Sequence, residues 1–447
     1  MSTRILILGS GGREHALALA LSTAGRQHVE LLCAPGNPGI AELATLIPLA
    51  GDDVAALVQA ARAHAVDWVL PGGETWLCAG LADALASVGI PCIGPSQAAA
   101  QLEASKTFSR TLTAPLQVPG PRFVVVRSEA ELDAALAGWI GLPVIKADGL
   151  AAGKGVFLPD TIEDCRQAGR ELLAGALGAA GTTLLVEERL HGEEASLFFA
   201  CCGSQTVALS HARDHKRLLD GDRGPNTGGM GAISPSPIAT PAIEREVHER
   251  IVRPTLQALA DRGTPFVGFL FVGVMLTERG PMLLEFNVRW GDPEAQAVLP
   301  RLRDGDFFRI CQAMAQGSLR QVAPTIEPRA SCAVVLASAG YPQAARRGDV
   351  ITLDQATIDG LGARILHSGT QRQGSRLLTA GGRVMTAVAL ADDADTARRS
   401  AYHAADAVHF AGQQRRNDIG QPPAAAARRS QIHAHDRNPH VAGGTDG

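Results

Sequence analysis

Arg4-Ile5-Leu6-Ile7-Leu8-Gly9-Ser10-Gly11-Gly12-Arg13-Glu14-His15 opens the chain with an apolar run, a glycine cluster and the first turn of a helical pattern. Residues 4–9 read as a buried strand, and the apolar spacing from Arg13 to about Thr23 reads as a helix. A strand that turns through glycines into a helix is the start of a parallel βαβ unit. Further strands at Val29–Cys33 and Trp68–Pro71 alternate with helical stretches near Val54–His64 and Leu77–Val88. Residues 1–102 are therefore expected to form one parallel α/β domain.

The glycine turn also carries chemistry, because backbone N–H groups at a helix N-terminus favour a phosphate. A dinucleotide site does not fit: Glu14 stands where a third glycine belongs, and the second strand runs into Cys33-Ala34 where a ribose-binding acid would be expected. A tight structural turn and a monophosphate site both stay open on these residues alone.

After Gly94-Pro95-Ser96 a helical region runs through Thr111, and Pro115, Pro119 and Pro121 mark a boundary near 102–122. Strands at 123–126, 144–147, 156–158 and 183–187, with helices at 129–139 and 161–174, make a compact α+β lobe over about 123–190. Residues 190–320 add strands at 196–202, 267–276 and 282–287, a glycine-rich loop at 220–232, and helices near 241–262 and 305–316. Short β runs with Gly-Gly punctuation, including 331–337 and 383–390, predict a separate β-rich unit over 326–420. Residues 421–447 have no periodicity and are expected to be disordered, with His433, His435 and His440 in a solvated tail.

Composition narrows the function classes. The 447 residues carry 41 Lys+Arg against 45 Asp+Glu, and a formal charge of -4 gives no support to a polyanion-binding surface. With 4% aromatic residues there is little to stack nucleic-acid bases, so no nucleic-acid partner is expected. Eight cysteines lie mostly in apolar runs with no CxxC spacing, which fits buried, reduced thiols. With no signal-peptide pattern at Met1–Gly9 and no apolar run of roughly 20 residues, a cytoplasmic chain with no membrane partner is expected.

Three stretches carry most of the remaining chemistry. Residues 146–156 (KADGLAAGKGV) join two β runs through small residues and a lysine, but the glycine spacing is short for a P-loop and Gly155 replaces its Ser/Thr. A hairpin with Lys146 on its strand and a tip that covers phosphates suits them better. In residues 285–294 (EFNVRWGDPE), alternation puts Glu285, Asn287 and Arg289 on one face and Phe286 and Val288 on the other. A carboxylate and an amide oxygen suit Mg²⁺, which takes few protein ligands and completes its shell with phosphates and water. Arg289 beside them offers a permanent planar cation to developing anionic charge. Residues 214–217 (DHKR) and 222–231 form a charged turn and a glycine loop that would otherwise read as solvated.

Taken in order, GGREHAL (11–17), APGNPG (34–39), LEASK (102–106), KADGLAAGKGV, EERLHGEEAS (187–196), DHKR, GPNTGGMGA (224–232), EFNVRWGDPE, and the late GGRV (381–384) and NDIG (417–420) resemble the ATP-grasp carboxylate-amine ligases. Within them the match is to the phosphoribosylamine-glycine ligase family of purine biosynthesis, over roughly residues 4–420. The resemblance implies a preATP-grasp α/β domain over 1–102, an ATP-grasp domain over 103–325 with a mobile lid lobe, and a β-rich C-terminal domain. It implies ATP-dependent joining of glycine to 5-phosphoribosylamine through glycyl phosphate, by a monomer that uses Mg²⁺ or Mn²⁺.

Carried over residue by residue, Lys106 and Lys146 would meet the ATP phosphates, with Gly149, Gly153, Lys154 and Gly155 in the loop that closes over them. Glu187, Glu188 and Leu190 would form the hinge that reads adenine, and Glu194 would meet the ribose. Glu285 and Asn287 would hold the metal. Arg289, Lys146 and Asp214 are the implied catalytic residues. Gly11, Gly12 and Arg13 would serve the phosphoribosylamine phosphate, and Asp214, Lys216, Asn226, Thr227 and Gly229 would line the acceptor and glycine side, with Arg289. One departure stands out: the family's Gly-Pro-Glu, followed by a small residue and Pro-Leu, is replaced by Gly72-Gly73-Glu74-Thr75-Trp76-Leu77 at the edge of the first sheet. That change motivates a second reading, a paralogue that joins a different small acid and amine.

Overall fold

A computed structural model describes residues 2–25, 28–49, 53–150 and 155–421. The expected disorder of residues 422–447, and Gly153 and Lys154 of the phosphate loop, lie outside the described residues.

The chain begins with β1 (Thr3–Gly9), α1 (Gly12–Ser22), β2 (Val29–Pro35), β3 (Thr45–Leu46), α2 (Val54–Ala63) and β4 (Trp68–Pro71). These strands form a parallel sheet in the order β3-β2-β1-β4. Ile5, Leu6, Ile7 and Leu8 are all buried because both sheet faces are covered, which explains a continuous apolar run in place of alternation. The helix expected over 77–88 is two helices, α3 (Glu74–Cys78) and α4 (Leu81–Ala86), broken at Gly80, whose φ of 90° a helix cannot continue. Two short helices follow, α5 (Gln97–Ala104) and α6 (Lys106–Thr113), with Ser105 capping the second through its side chain to the Phe108 N–H.

The lobe comprises β5 (Phe123–Val126), α7 (Glu129–Ala137), β6 (Pro143–Ala147), β7 (Val156–Phe157), α8 (Ile162–Leu173) and β8 (Leu184–Glu188). Its antiparallel sheet runs β5-β8-β6-β7, and both helices pack on it through Leu132, Leu136, Cys165 and Leu172.

The rest is built on one long sheet. Its first part contains β9 (Glu193–Cys202), β10 (Gln205–Asp214), the hairpin β11 (Arg217–Leu219) and β12 (Arg223–Asn226), and β13 (Gly231–Ser234). Next come α9 (Pro241–Val247), α10 (Arg253–Asp261), β14 (Val267–Thr277), β15 (Gly280–Asn287), α11 (Glu294–Val298) and α12 (Asp306–Ala315). The single helix expected over 241–262 is interrupted by a π turn at His248–Val252, just before Pro254, whose missing N–H breaks the ladder. The C-terminal part adds β16 (Ala330–Ala337), β17 (Val350–Leu353), α13 (Gln355–Gly360), β18 (Arg364–His367), β19 (Thr370–Gln373), β20 (Arg376–Thr379), β21 (Arg383–Ala391), α14 (Ala394–Asp406) and β22 (Val408–His409).

Eight strands pair in the order β15-β14-β9-β10-β13-β16-β21-β18. The C-terminal strands join the sheet of the strands before them through the pairing of β13 with β16, while β16, β17, β20, β21, α13 and α14 enclose a core of their own, as the expected β-rich unit requires. Alternate residues of β14 enter two cores: Phe269 and Phe271 pack with Trp290 and Phe307, while Leu270, Val272 and Val274 pack with Phe286 and Val288. Each of the eight cysteines is an unpaired thiol. No helix among the described residues is long and apolar enough to cross a membrane.

Candidate functional site

The site lies where the lobe sheet faces the end of the long sheet formed by β9, β14 and β15. Two adjoining cavities, of about 400 and about 490 Å³, share Lys146, Glu187, Asp214, Lys216, Thr227, Phe271, Leu284 and Glu285. The larger has an apolar lining from Val144, Val156, Leu158, Leu190, Phe271 and Met275 between the two sheets, with Glu188, Glu194 and Asn226 at its polar side. The smaller is lined by Arg13, Lys106, Arg110, Asn287, Arg289 and Glu294 among other charged groups.

Alternation on β15 does what the sequence predicts. Glu285 and Asn287 line the smaller cavity, as does Arg289 just beyond the strand, while Phe286 and Val288 are buried in the core. Neither the Glu285 carboxylate nor the Asn287 amide hydrogen-bonds to another described residue, so their oxygens are free for a ligand. Burial alone would raise Glu285, but Lys216, Lys146, Lys106 and Arg289 hold it below the ordinary carboxylate value, so it is ionised. Two hard oxygen donors facing a cavity fit Mg²⁺ or Mn²⁺ that draws its other ligands from phosphate and water.

Lys106 starts α6 and donates to the Gly149 carbonyl at 3.2 Å. Asp148 ties the same helix to the base of the loop, accepting from Ser105 Oγ and the Thr107 N–H at 3.0 Å each. Gly149 and Gly155 line the smaller cavity. Lys146 meets Glu187 at 2.6 Å, and Glu187 is also gripped by Arg110, 2.6 Å from Nε to Oε1. Arg289 spans two carboxylates, Glu74 at 3.0 Å and Glu103 at 2.8 Å, and Glu103 accepts the Val288 N–H at 2.7 Å. Lys216, just beyond β10, pairs with Glu194 on the neighbouring β9 at 2.7 Å, so the expected ribose contact is engaged by a lysine. Thr227 bonds the Lys216 carbonyl through both its N–H and its hydroxyl at 2.8 Å, which sets the turn into Gly228.

Three of the expected glycines stand apart from the two cavities. Gly11 and Gly12 do not line either cavity, and the Gly11 N–H is already bonded at 2.5 Å to Glu14, whose carboxylate fills the turn where a phosphate was expected. Gly12 is a packing glycine, since a Cβ there would stand 2.5 Å from Ser368 Oγ and 2.7 Å from Gln296. Gly229 lines neither cavity either; its φ of 106° turns the loop against Pro293. Arg13 alone of the first motif reaches the cavity, donating to Glu14 at 2.7 Å and to the Trp290 carbonyl at 3.1 Å. The departure at 72–77 is also localised: Glu74 faces the cavity, whereas Trp76 packs against the apolar core behind β1.

Sequence reasoning missed Arg110, Glu103, Glu294 and Arg383. Spacing cannot separate a buried arginine from a surface one, but LEASK and GGRV were already singled out and carry Glu103 and Arg383. Arg383 bonds Asp292 through Nη2 at 2.8 Å and the Gly228 carbonyl at 2.5 Å, so a C-terminal side chain closes the cavity. Glu294 starts α11, is buried, and accepts from Ser196 Oγ at 3.4 Å. Burial and the nearby Asp214 push its pKa above the ordinary carboxylate value, which makes it a stronger base than a free carboxylate.

Comparison with known proteins matches this geometry along its whole length. Models of phosphoribosylglycinamide synthetase match in three parts: the N domain over residues 3–103, the ATP-grasp (A) domain over 104–295 and the C domain over 331–422. The phosphoribosylamine-glycine ligase of Rhizobium meliloti is 43% identical over 419 residues, covering 93% of this chain and 98% of that protein. That of Agrobacterium fabrum is 44% identical over 420 residues, covering 93% and 98%. The crystal structure of the Thermotoga maritima phosphoribosylamine-glycine ligase superposes with a TM-score of 0.82 at 32% identity, covering 93% of this chain and all of that one. Biotin carboxylase from Campylobacter jejuni, at 15% identity and a TM-score of 0.71 with 93% of each chain covered, shares the fold alone. With all three parts matched in order around a cleft built from their residues, the chain belongs to the phosphoribosylglycinamide synthetase family.

Proposed function

We propose that this cleft joins glycine to 5-phosphoribosylamine at the expense of ATP, giving glycinamide ribonucleotide, ADP and phosphate. A carboxylate loses oxygen poorly, so glycine must first become an acyl phosphate that the amine can attack. The observation that carries the reading is the wall shared by the two cavities. Lys146, Asp214, Lys216 and Glu285 face an apolar slot fit for adenine on one side and a charged chamber fit for acid and amine on the other.

In this reading the slot takes the nucleotide, with Glu187–Leu190 reading adenine through main-chain groups and Glu194 near the ribose. Lys106 and Lys146 meet its phosphates, with Gly149 and Gly155 on the lining beside them. Glu285 and Asn287 hold Mg²⁺ or Mn²⁺, which when bound neutralises charge on the phosphate oxygens. Arg289, fixed by Glu74 and Glu103, offers its fork to the acyl phosphate. Asp214, Lys216 and Thr227, which line both cavities, face the glycine and acceptor side, with Asn226 beside them on the wall of the slot. Arg13 and Arg383 stand where the acceptor phosphate would enter, and Glu294 is placed to take the proton that the attacking amine sheds.

The test is phosphate release from ATP with Mg²⁺ and freshly generated phosphoribosylamine, with and without glycine, and a product mass. Glycine-dependent release with the mass of glycinamide ribonucleotide is expected. Release that ignores glycine, or a product of another mass, sinks the substrate assignment.

A further inference from the structure

The smaller cavity holds a charge cluster whose side-chain pairing the proposed chemistry does not account for. Glu187 sits at the end of the lobe sheet with its side chain 2% exposed, and two cations share its carboxylate. Lys146 Nζ lies 2.6 Å from Oε2, and Arg110 bonds both oxygens, at 2.6 Å from Nε and 3.3 Å from Nη2. Arg110 also donates to the carbonyls of Leu283, at 3.1 Å, and Leu284, at 2.9 Å. Those carbonyls immediately precede Glu285 on β15, so the guanidinium is anchored to the metal-side strand and reaches across to the lobe.

A lysine bound to a buried carboxylate is a poor phosphate ligand on its own. To give a phosphate its full charge, Lys146 must loosen its pair with Glu187, and a buried carboxylate left with no other cation resists that loosening. A second, permanent partner removes that obstacle. Arg110 is rigidly held, stays charged at any relevant pH and matches a carboxylate with two parallel donors. Burial alone would raise Glu187, but Lys146 and Arg110 together bring it down to about 2, so the carboxylate is an anion throughout and always needs a cation.

We infer that Arg110 is a positioning residue that keeps Lys146 exchangeable, holding the Glu187 carboxylate so that the lysine can pass to a nucleotide phosphate. The inference rests on the reading above that Lys146 meets the phosphates. It predicts that the damage from losing Arg110 comes from Glu187 retaining Lys146, and that neutralising Glu187 repairs it. A residue that merely packs would show no such repair.

The experiment compares Lys146→Gln, Arg110→Gln, Arg110→Lys and the double variant Arg110→Gln/Glu187→Gln, with KM for ATP and for glycine, ADP affinity by calorimetry, and Tm. Lys146→Gln and Arg110→Gln should each raise KM for ATP about ten-fold or more and leave KM for glycine within about two-fold. Arg110→Lys should fall between them and the unaltered protein, because one ammonium replaces only part of the fork. Adding Glu187→Gln to Arg110→Gln should bring KM for ATP back toward its original value. The proposal is overturned if Arg110→Gln leaves KM for ATP unchanged while Lys146→Gln raises it. It is equally overturned if both substrates suffer alike, with lower Tm and no repair by Glu187→Gln. If Lys146→Gln itself changes neither KM for ATP nor ADP affinity, the phosphate reading of Lys146 falls first and takes this proposal with it. Should Arg110→Gln not fold, Arg110→Lys with and without Glu187→Gln makes the same comparison.

Discussion

Arg289 shows how a single side chain is made into a tool. Its guanidinium is aimed by Glu74 from the first region of the chain and by Glu103 from α5, and it faces the cavity from just beyond β15. A lysine there would keep the charge and lose the fork, so Arg289→Lys should lower kcat for phosphate release about 100-fold with intact folding by circular dichroism. Glu285→Ala removes an ionised oxygen donor with no hydrogen-bond partner among the described residues and should abolish turnover while sparing Tm, which a parallel thermal melt checks. Glu187 gives the pH-dependent case. Its carboxyl is held at about 2 in the fold against an ordinary 4.5, so it binds protons more weakly folded than unfolded. It therefore stabilises the fold above pH 4.5, and that contribution fades as pH falls toward 2. Urea midpoints measured across this window should show Glu187→Gln destabilised at neutral pH and the gap to the unaltered protein closing with acid.

At the scale of elements, the hairpin of β11 and β12 depends on a distant strap. Arg416 is 1% exposed and donates to Asp222 and to Asp418, and the Asn417 N–H and amide hold Asp220 at 2.7 and 3.1 Å. The hairpin ends at Asn226, on the wall of the larger cavity, so Arg416→Ala should cost about 2 kcal/mol of stability, read from urea midpoints, and raise KM for ATP. This dependence also marks what a sequence discloses. The strands Trp68–Pro71 and Phe123–Val126 were legible to the residue because local apolar runs with turn signals define them. β10 was not read at all: its polar His211, Arg213 and Asp214 face groups brought by other strands, which no local pattern encodes. Glu285, Asn287 and Arg289 were legible because one strand's alternation carries them. Arg110, Glu103 and Arg383 were not, because their partners lie 77, 186 and 91 positions away. The Gly11 N–H shows a related limit, as its bond to Glu14 three residues on is not written in any apolar pattern.

Across the whole molecule, the cleft is assembled from every region. Arg13, Glu74, Arg289 and Arg383 converge on one cavity, and Asn37 bonds the His367 carbonyl at 3.0 Å between the two ends of the fold. Arg383→Ala frees Asp292 and the Gly228 carbonyl together, and it should raise KM for the amine while leaving ADP affinity by calorimetry unchanged. The sheet that runs without a seam from β15 to β18 has a practical consequence for anyone dividing the protein. A fragment ending before Ala330 would lose β16 and leave Gly231–Ser234, four wholly buried residues, as a bare apolar edge open to pairing with any other chain. Such a fragment should precipitate on expression rather than yield a soluble ATP-binding half, and tags or fusion partners belong at the ends of the polypeptide, not at that join.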